Sequence, residues 1–187
     1  MKKGKLFVFS APSGTGKTTI VRYLLNILPE LKFSVSATTR KARANEKHGE
    51  DYFFITEEEF KKKIKNNEFI EWGKFYDYYY GTLREVVEKD LNEGRNILLE
   101  LDVKGALEIK KQYPDAVTIF IAPPSMEELR NRLAKRNTET EEDFRKRILR
   151  AEMELGFKEK FDYLVVNDEL ERAKKEAKEI ILKEIER

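Results

Sequence analysis

Four short apolar runs punctuate the chain, and each reads as a strand buried on both faces. They are Leu6-Phe7-Val8-Phe9-Ser10, Asn96-Ile97-Leu98-Leu99-Glu100-Leu101, residues 116–121 and Tyr163-Leu164-Val165-Val166. Between them the apolar positions recur at helical spacing. Ile20, Val21, Leu24, Leu25 and Leu28 predict a helix over 17–28, stopped by Pro29. Ser125 followed by Glu128 matches a capping box and opens a helix carrying Leu129 and Leu133. A break at 138–140 precedes a long Arg-rich helix to about residue 157. A last helix begins near Asp168 and lays Leu170, Ala173, Ala177, Ile180, Ile181 and Ile185 along one side. Strands alternating with helices predict an α/β fold, a parallel sheet core flanked by helices.

Residues 34–88 break this rhythm. Strand candidates are short, at 33–38, 51–55 and 69–75. Thr56-Glu57-Glu58-Glu59 is a capping box for a helix to about Lys65, and another helix spans 83–92 before Gly94. The section reads as an α+β lobe inserted into the α/β frame. The expected organisation is a single domain over 1–187: a core of 1–33, 89–125 and 157–187, the inserted lobe at 34–88, and a helical lid at 126–156.

Composition narrows the chemistry. Of 187 residues, 37 are Lys or Arg and 35 are Asp or Glu, a net charge of +2. So even a balance does not suit a general nucleic-acid coat. There is no Cys and a single His, His48. Disulfides, thiolate zinc, a thiol nucleophile and a Ser-His triad are thereby excluded or disfavoured. No apolar run approaches the length of a membrane span, and the apolar run near Met1 is too short for an export signal. The expected location is the cytoplasm.

The strongest local signal is Ser10-Ala11-Pro12-Ser13-Gly14-Thr15-Gly16-Lys17-Thr18-Thr19, set between a predicted strand and a predicted helix. It fits a phosphate-binding loop, with Ala11 where the first glycine usually stands. Glycines let backbone N–H groups turn inward around phosphate oxygens, and the following helix adds its positive end. Lys17 supplies charge at the β- and γ-phosphates, and the Thr18 hydroxyl suits Mg²⁺. Ala11 fits if its position does not need a positive φ. The loop implies a nucleoside triphosphate with magnesium and leaves the phosphate acceptor open. The Asn-Lys-x-Asp segment of guanine-reading GTPases is absent.

Several further segments, in order along nearly the whole chain, resemble the guanylate kinase family. They are Ser34-Val35-Ser36-Ala37-Thr38-Thr39-Arg40-Lys41-Ala42-Arg43, Gly49-Glu50-Asp51-Tyr52-Phe53-Phe54, Glu68-Phe69-Ile70-Glu71-Trp72, Tyr79-Tyr80-Gly81-Thr82, Leu99-Glu100-Leu101-Asp102, 119–125, Arg132 to Arg136, and Val165-Val166-Asn167-Asp168. The resemblance implies a P-loop nucleoside monophosphate kinase fold and the reaction ATP + GMP ⇌ ADP + GDP with Mg²⁺.

It also implies site residues. ATP would be held by Ala11, Pro12, Ser13, Gly14, Thr15, Gly16, Lys17, Thr18 and Thr19. Arg40 and Arg43 match a clamp on the GMP phosphate, completed by the hydroxyls of Tyr52 and Tyr80. Ser36, Glu71 and Thr82 match positions around the guanine, and Asp102 an acidic position near nucleotide and metal. Arg132, Arg136 and Arg147 match arginines that reach the transferring phosphoryl group, so Lys17, Arg40, Arg132, Arg136 and Arg147 are the expected catalytic set. Thr18 would meet Mg²⁺ through ATP, with Asp102 or Glu100 orienting it through water. Thr82, where Ser is common, and Lys104, where Gln is usual, depart from the family pattern.

The partners expected are ATP and GMP, with neither nucleic acid nor membrane, for a monomer or small homo-oligomer. A kinase for another monophosphate is the enzymatic alternative; Glu71 beside the Ser36 hydroxyl favours guanine. A non-catalytic interaction module of this fold is the other, disfavoured by the intact loop. Read alone, Tyr78, Tyr79 and Trp72 are packing residues, His48 is an exposed loop residue, and Arg145, Lys146 and Arg150 form a solvated helix face.

Overall fold

The structure is a computed structural model that describes residues 3–75, 77–135 and 141–187. The chain opens with β1 (Leu6–Ser10), α1 (Lys17–Ile27) and β2 (Leu31–Phe33). It continues through β3 (Ala37–Thr38), β4 (Phe53–Phe54), α2 (Glu57–Lys65), β5 (Phe69–Phe75), β6 (Tyr78–Leu83) and α3 (Arg84–Asn92). Then come β7 (Asn96–Leu101), α4 (Val103–Gln112), β8 (Val117–Ala122) and α5 (Met126–Ala134). Last are α6 (Glu141–Leu155), a 3₁₀ turn at Lys158–Lys160, β9 (Tyr163–Val166) and α7 (Leu170–Glu186).

A parallel sheet in the order β2-β7-β1-β8-β9 forms the centre. Every residue of β1 and β8 is buried. The period-two alternation of a strand sends Phe7 and Phe9 to one face, packed with Ile20, Leu24 and Ile181 of α1 and α7. Leu6 and Val8 go to the other, packed with Val87, Leu91, Ala106 and Ile109 of α3 and α4. Burial on both faces explains the unbroken apolar runs.

A second sheet, in the order β4-β3-β6-β5, stands beside the first. Its core is small: Ala37, Phe60 and Phe69, with the Phe60 and Phe69 rings stacked at 4.3 Å. Both partners of the Thr56–Glu59 capping box are engaged at the start of α2. At α5, Ser125 caps the Glu128 N–H, but the Glu128 carboxylate accepts from Arg132 Nε at 2.8 Å.

Three expectations need correction. The single strand expected over 33–38 is two strands in two sheets: Phe33 pairs with Leu98, and Ala37 with Gly81. Residues 34–36 carry the chain from one sheet to the other, and apolar alternation does not register such a change. β6 was expected only as packing and site residues, and α4 not at all. Asp102 caps α4, accepting from the Gly105 N–H at 2.8 Å. The break at 138–140 lies outside the described residues.

Candidate active site

The loop between β1 and α1 wraps the open end of α1. Gly14 and Gly16 take φ of 89° and 90°, a region that L side chains rarely adopt. A Cβ on Gly16 would sit 2.5 Å from Nδ2 of Asn167, which donates to the Thr15 carbonyl at 2.6 Å. Ala11 is buried and is not among the positive-φ residues, so a side chain is tolerated there. α1 has no side-chain cap, which leaves its first N–H groups facing the loop.

Lys17 Nζ donates to the Leu101 carbonyl at 3.0 Å and lies 3.7 Å from Glu100. Burial lowers its pKa, and the charges of Glu100, Asp102 and Glu154 oppose that shift. The Thr18 hydroxyl donates to Glu100 Oε1 at 2.6 Å. All of residues 11–19 line one cleft, about 620 Å³ in volume, together with Arg147 of α6.

A second cleft, about 760 Å³, is lined by Ser36, Tyr52, Glu71, Tyr80, Glu100 and Asp102 among others. Both volumes are of the size that takes a small ligand. Its polar groups arrive from both sheets: Ser36 and Tyr52 from segments flanking β3 and β4, Glu71 and Tyr80 from the β5–β6 pair, and Asp102 from the end of β7. Thr82 is fully buried behind Glu71 and donates to its Oε1 at 2.7 Å. Burial pushes the Glu71 carboxyl up to about 7, against the Thr82 hydroxyl, which favours the ionised form; the nearby charge of Asp102 adds to the rise.

Arg40 and Arg43 do not line this cleft. Arg40 is paired with Glu46 through Nη1 and Nη2, each at 2.8 Å, and its guanidinium carbon lies 5.5 Å from the Tyr52 ring centroid. Arg43 is exposed, and its backbone N–H donates to the same Glu46 at 2.8 Å. Arg132 turns to Glu128 and does not line the first cleft. Arg136 lies outside the described residues.

The two clefts adjoin. Lys74, Phe75, Glu100, Asp102 and Arg150 line both. Arg150, though its side chain is 40% exposed, is engaged at this junction: it donates to Glu154 at 2.8 Å and to Asp102 at 3.2 Å. Its spacing from Arg147 and Glu154 puts all three on one helix face, which is the signal that could have flagged it. Glu46 carried no comparable signal beyond its closeness in sequence to two arginines.

Two hard oxygens, Thr18 Oγ1 and Glu100 Oε1, lie side by side at the loop. Among the described residues no group of three or more His, Cys, Asp or Glu gathers as a metal cage. That donor set fits Mg²⁺, which keeps its waters and takes phosphate oxygens rather than needing an all-protein site.

Comparison with known proteins agrees with this geometry. A family model described as guanylate kinase matches residues 3–184. A guanylate kinase of Caldanaerobacter subterraneus subsp. tengcongensis is 51% identical over 98% of this chain and 89% of its own length. One from Bacteroides thetaiotaomicron is 53% identical over 95% and 88% respectively. A crystal structure of guanylate kinase from Anaplasma phagocytophilum superposes with a TM-score of 0.79 at 33% identity, covering 100% of this chain and 88% of that one. With a phosphate loop, a parallel core and a second cleft against it, the chain belongs to the guanylate kinase family.

Proposed function

We propose that this chain transfers the γ-phosphoryl group of ATP to GMP, giving ADP and GDP, with ATP in the cleft of residues 11–19 and GMP in the neighbouring one. The observation that carries the reading is the shared edge of the two clefts. An in-line transfer needs donor and acceptor phosphates to meet without water between them.

On the donor side, the open end of α1 and the glycine turns of the loop bind the phosphates, and Lys17 offsets charge as it moves to the leaving oxygen. Thr18, with Glu100 through water, would hold Mg²⁺, which when bound neutralises charge on the phosphate oxygens. Glu100 suits this role better than Asp102, because Asp102 is committed to capping α4 and to Arg150.

On the acceptor side, guanine offers two donors, N1–H and the 2-amino group, that one ionised carboxylate can accept together. Glu71, steadied by Thr82, fits that task, and Ser36 adds a hydroxyl. Adenine presents a lone pair at the same place and leaves the carboxylate unpaired. Tyr52 and Tyr80, which line the cleft, and Arg40 and Arg43, which have to move toward it, take the GMP phosphate, the arginines as planar forks. That phosphate is itself the nucleophile and is largely ionised at pH 7, so no strong general base is needed. In the lid over residues 126–156, Arg147, which lines the donor cleft, stabilises the transferring group, joined by Arg136 and by Arg132 once it leaves Glu128. Residues 34–88 form the GMP-binding lobe, and 1–33, 89–125 and 157–187 the core.

The test is an ADP-release assay with MgATP against GMP, AMP, dTMP, UMP and CMP. A clear preference for GMP is expected. Equal or greater turnover with AMP or dTMP would overturn the reading.

A further inference from the structure

Arg150 has three partners, one on its own helix α6 and two on other elements. Nη2 donates to Oδ2 of Asp102 at 3.2 Å, at the junction of β7 and α4. Nε donates to Oε1 of Glu154 at 2.8 Å. The guanidinium carbon lies 4.9 Å from the centroid of the Phe75 ring, at the end of β5 in the second sheet.

The partners are themselves held. Glu154 is only 6% exposed, and Arg150, with a smaller contribution from Lys17, favours its ionised form against burial. Asp102 keeps its other oxygen, Oδ1, on the Gly105 N–H, so its carboxylate is fixed between the helix cap and Arg150. A guanidinium can offer its flat face to a ring while its edge donates to carboxylates; an ammonium cannot do both. Phe75, Asp102 and Arg150 are all residues that line both clefts.

We propose that Arg150 is a positioning residue that couples the two clefts, tying α6 on the donor side to the β5–β6 hairpin on the acceptor side through Asp102 and Phe75. A nucleotide in one cleft then favours the arrangement of α6, Asp102 and the hairpin that the other cleft also requires. Because linkage is reciprocal, each substrate tightens the other by the same factor. The inference rests on the assignment of ATP and GMP to the two clefts.

Calorimetric titration of GMP, alone and with saturating Mg²⁺ and a non-hydrolysable ATP analogue, tests it. The unaltered chain is expected to bind GMP on the order of tenfold more tightly with the analogue present. Arg150→Gln should lose most of that factor while still binding each nucleotide singly. Arg150→Lys should keep only part, and so should Phe75→Leu, at a residue that is already 45% exposed. Full coupling in Arg150→Gln and Phe75→Leu would overturn the proposal. So would a lowered unfolding temperature in Arg150→Gln with coupling intact, which would assign the residue to stability alone. If the unaltered chain binds both nucleotides without coupling, the inference fails and the assignment of the clefts stands; if it binds neither, both fail.

Discussion

Arg40 and Glu46 meet fork to fork, Nη1 to Oε2 and Nη2 to Oε1, each at 2.8 Å. The hydrogen bonds from Arg40, with the Arg43 N–H behind them, hold the Glu46 carboxyl down at about 2, so the pair stays ionised throughout the neutral range. Glu46 thus fixes the side chain of Arg40 and the backbone of Arg43, the two arginines proposed to clamp the GMP phosphate. Glu46→Gln should raise KM for GMP by roughly tenfold and leave KM for ATP unchanged, as steady-state kinetics would show. A fall in KM for GMP would mean instead that Glu46 competes with the phosphate for Arg40.

In its proposed role at the guanine, Glu71 should make GMP binding depend on pH. Its carboxyl holds its proton up to about 7 in the folded chain, against an ordinary value of 4.5. Between those values the folded state keeps a proton that the unfolded chain has lost, so this group's contribution to stability falls as pH rises through the window. Guanine needs the ionised form, so binding below about pH 7 expels the proton, and affinity for GMP should climb with pH and level off above it. The phosphate's own second ionisation, near pH 6, also contributes. Subtracting the profile of Glu71→Gln isolates the Glu71 component. The same variant should lose roughly 10²-fold in kcat/KM for GMP and shrink the GMP/AMP ratio. Superimposable profiles would remove Glu71 from base recognition.

Lys17→Ala should fold normally and lose on the order of 10³-fold or more in kcat, in keeping with other charge-stabilising groups in phosphoryl transfer. Its hydrogen bond to the Leu101 carbonyl and its ion pair with Glu100 are the only contacts it forfeits among those described, and both lie at the cleft wall. Rapid-quench measurement of the first turnover separates this loss from slow product release. Near-normal turnover would move the donor site elsewhere.

Asn167 and Gly16 form a matched pair for testing the loop. The Asn167 amide ties the end of β9 to Thr15, and the space that a Gly16 side chain would occupy is already taken by that amide. Gly16→Ala should weaken binding of the ATP analogue strongly, through both the φ of 90° and the 2.5 Å clash. Asn167→Ala should weaken it less, and should partly relieve Gly16→Ala when the two are combined. Calorimetry on the three variants reads this directly; strict additivity would show that φ alone carries the effect.

The donor side is legible in the sequence because it is local. A strand, a loop and a helix follow one another, and the residue types report the backbone they need. The acceptor side is not local. Ser36, Tyr52, Glu71, Tyr80 and Asp102 meet only through pairings between distant strands, and no spacing rule connects them. Family resemblance named those residues; residue patterns alone would not. α4 is legible in principle from the Asp102 cap and the recurrence of Val103, Ala106 and Ile109, but an acid at the end of a strand fits a helix cap and a ligand position equally, and residue type does not separate the two. Arg150 shows the limit from the other side. Its helix was expected, but which way a long side chain turns depends on Phe75 and Asp102, far away in sequence.

The chain leaves the parallel sheet after β2 and re-enters it at β7, and these two strands are hydrogen-bonded neighbours, Leu31 beside Asn96 and Phe33 beside Leu98. Everything between them is an excursion whose two ends are already side by side. Lengthening or exchanging such an excursion adds little closure cost, because its ends are held together by the sheet itself. The loop and Lys17 lie outside this excursion, whereas β1 keeps its packing only while α3, with Val87 and Leu91 against Leu6 and Val8, stays in place. The frame is in this sense a socket: it fixes the chemistry of the donor while leaving the choice of acceptor open to variation in a separable stretch of sequence.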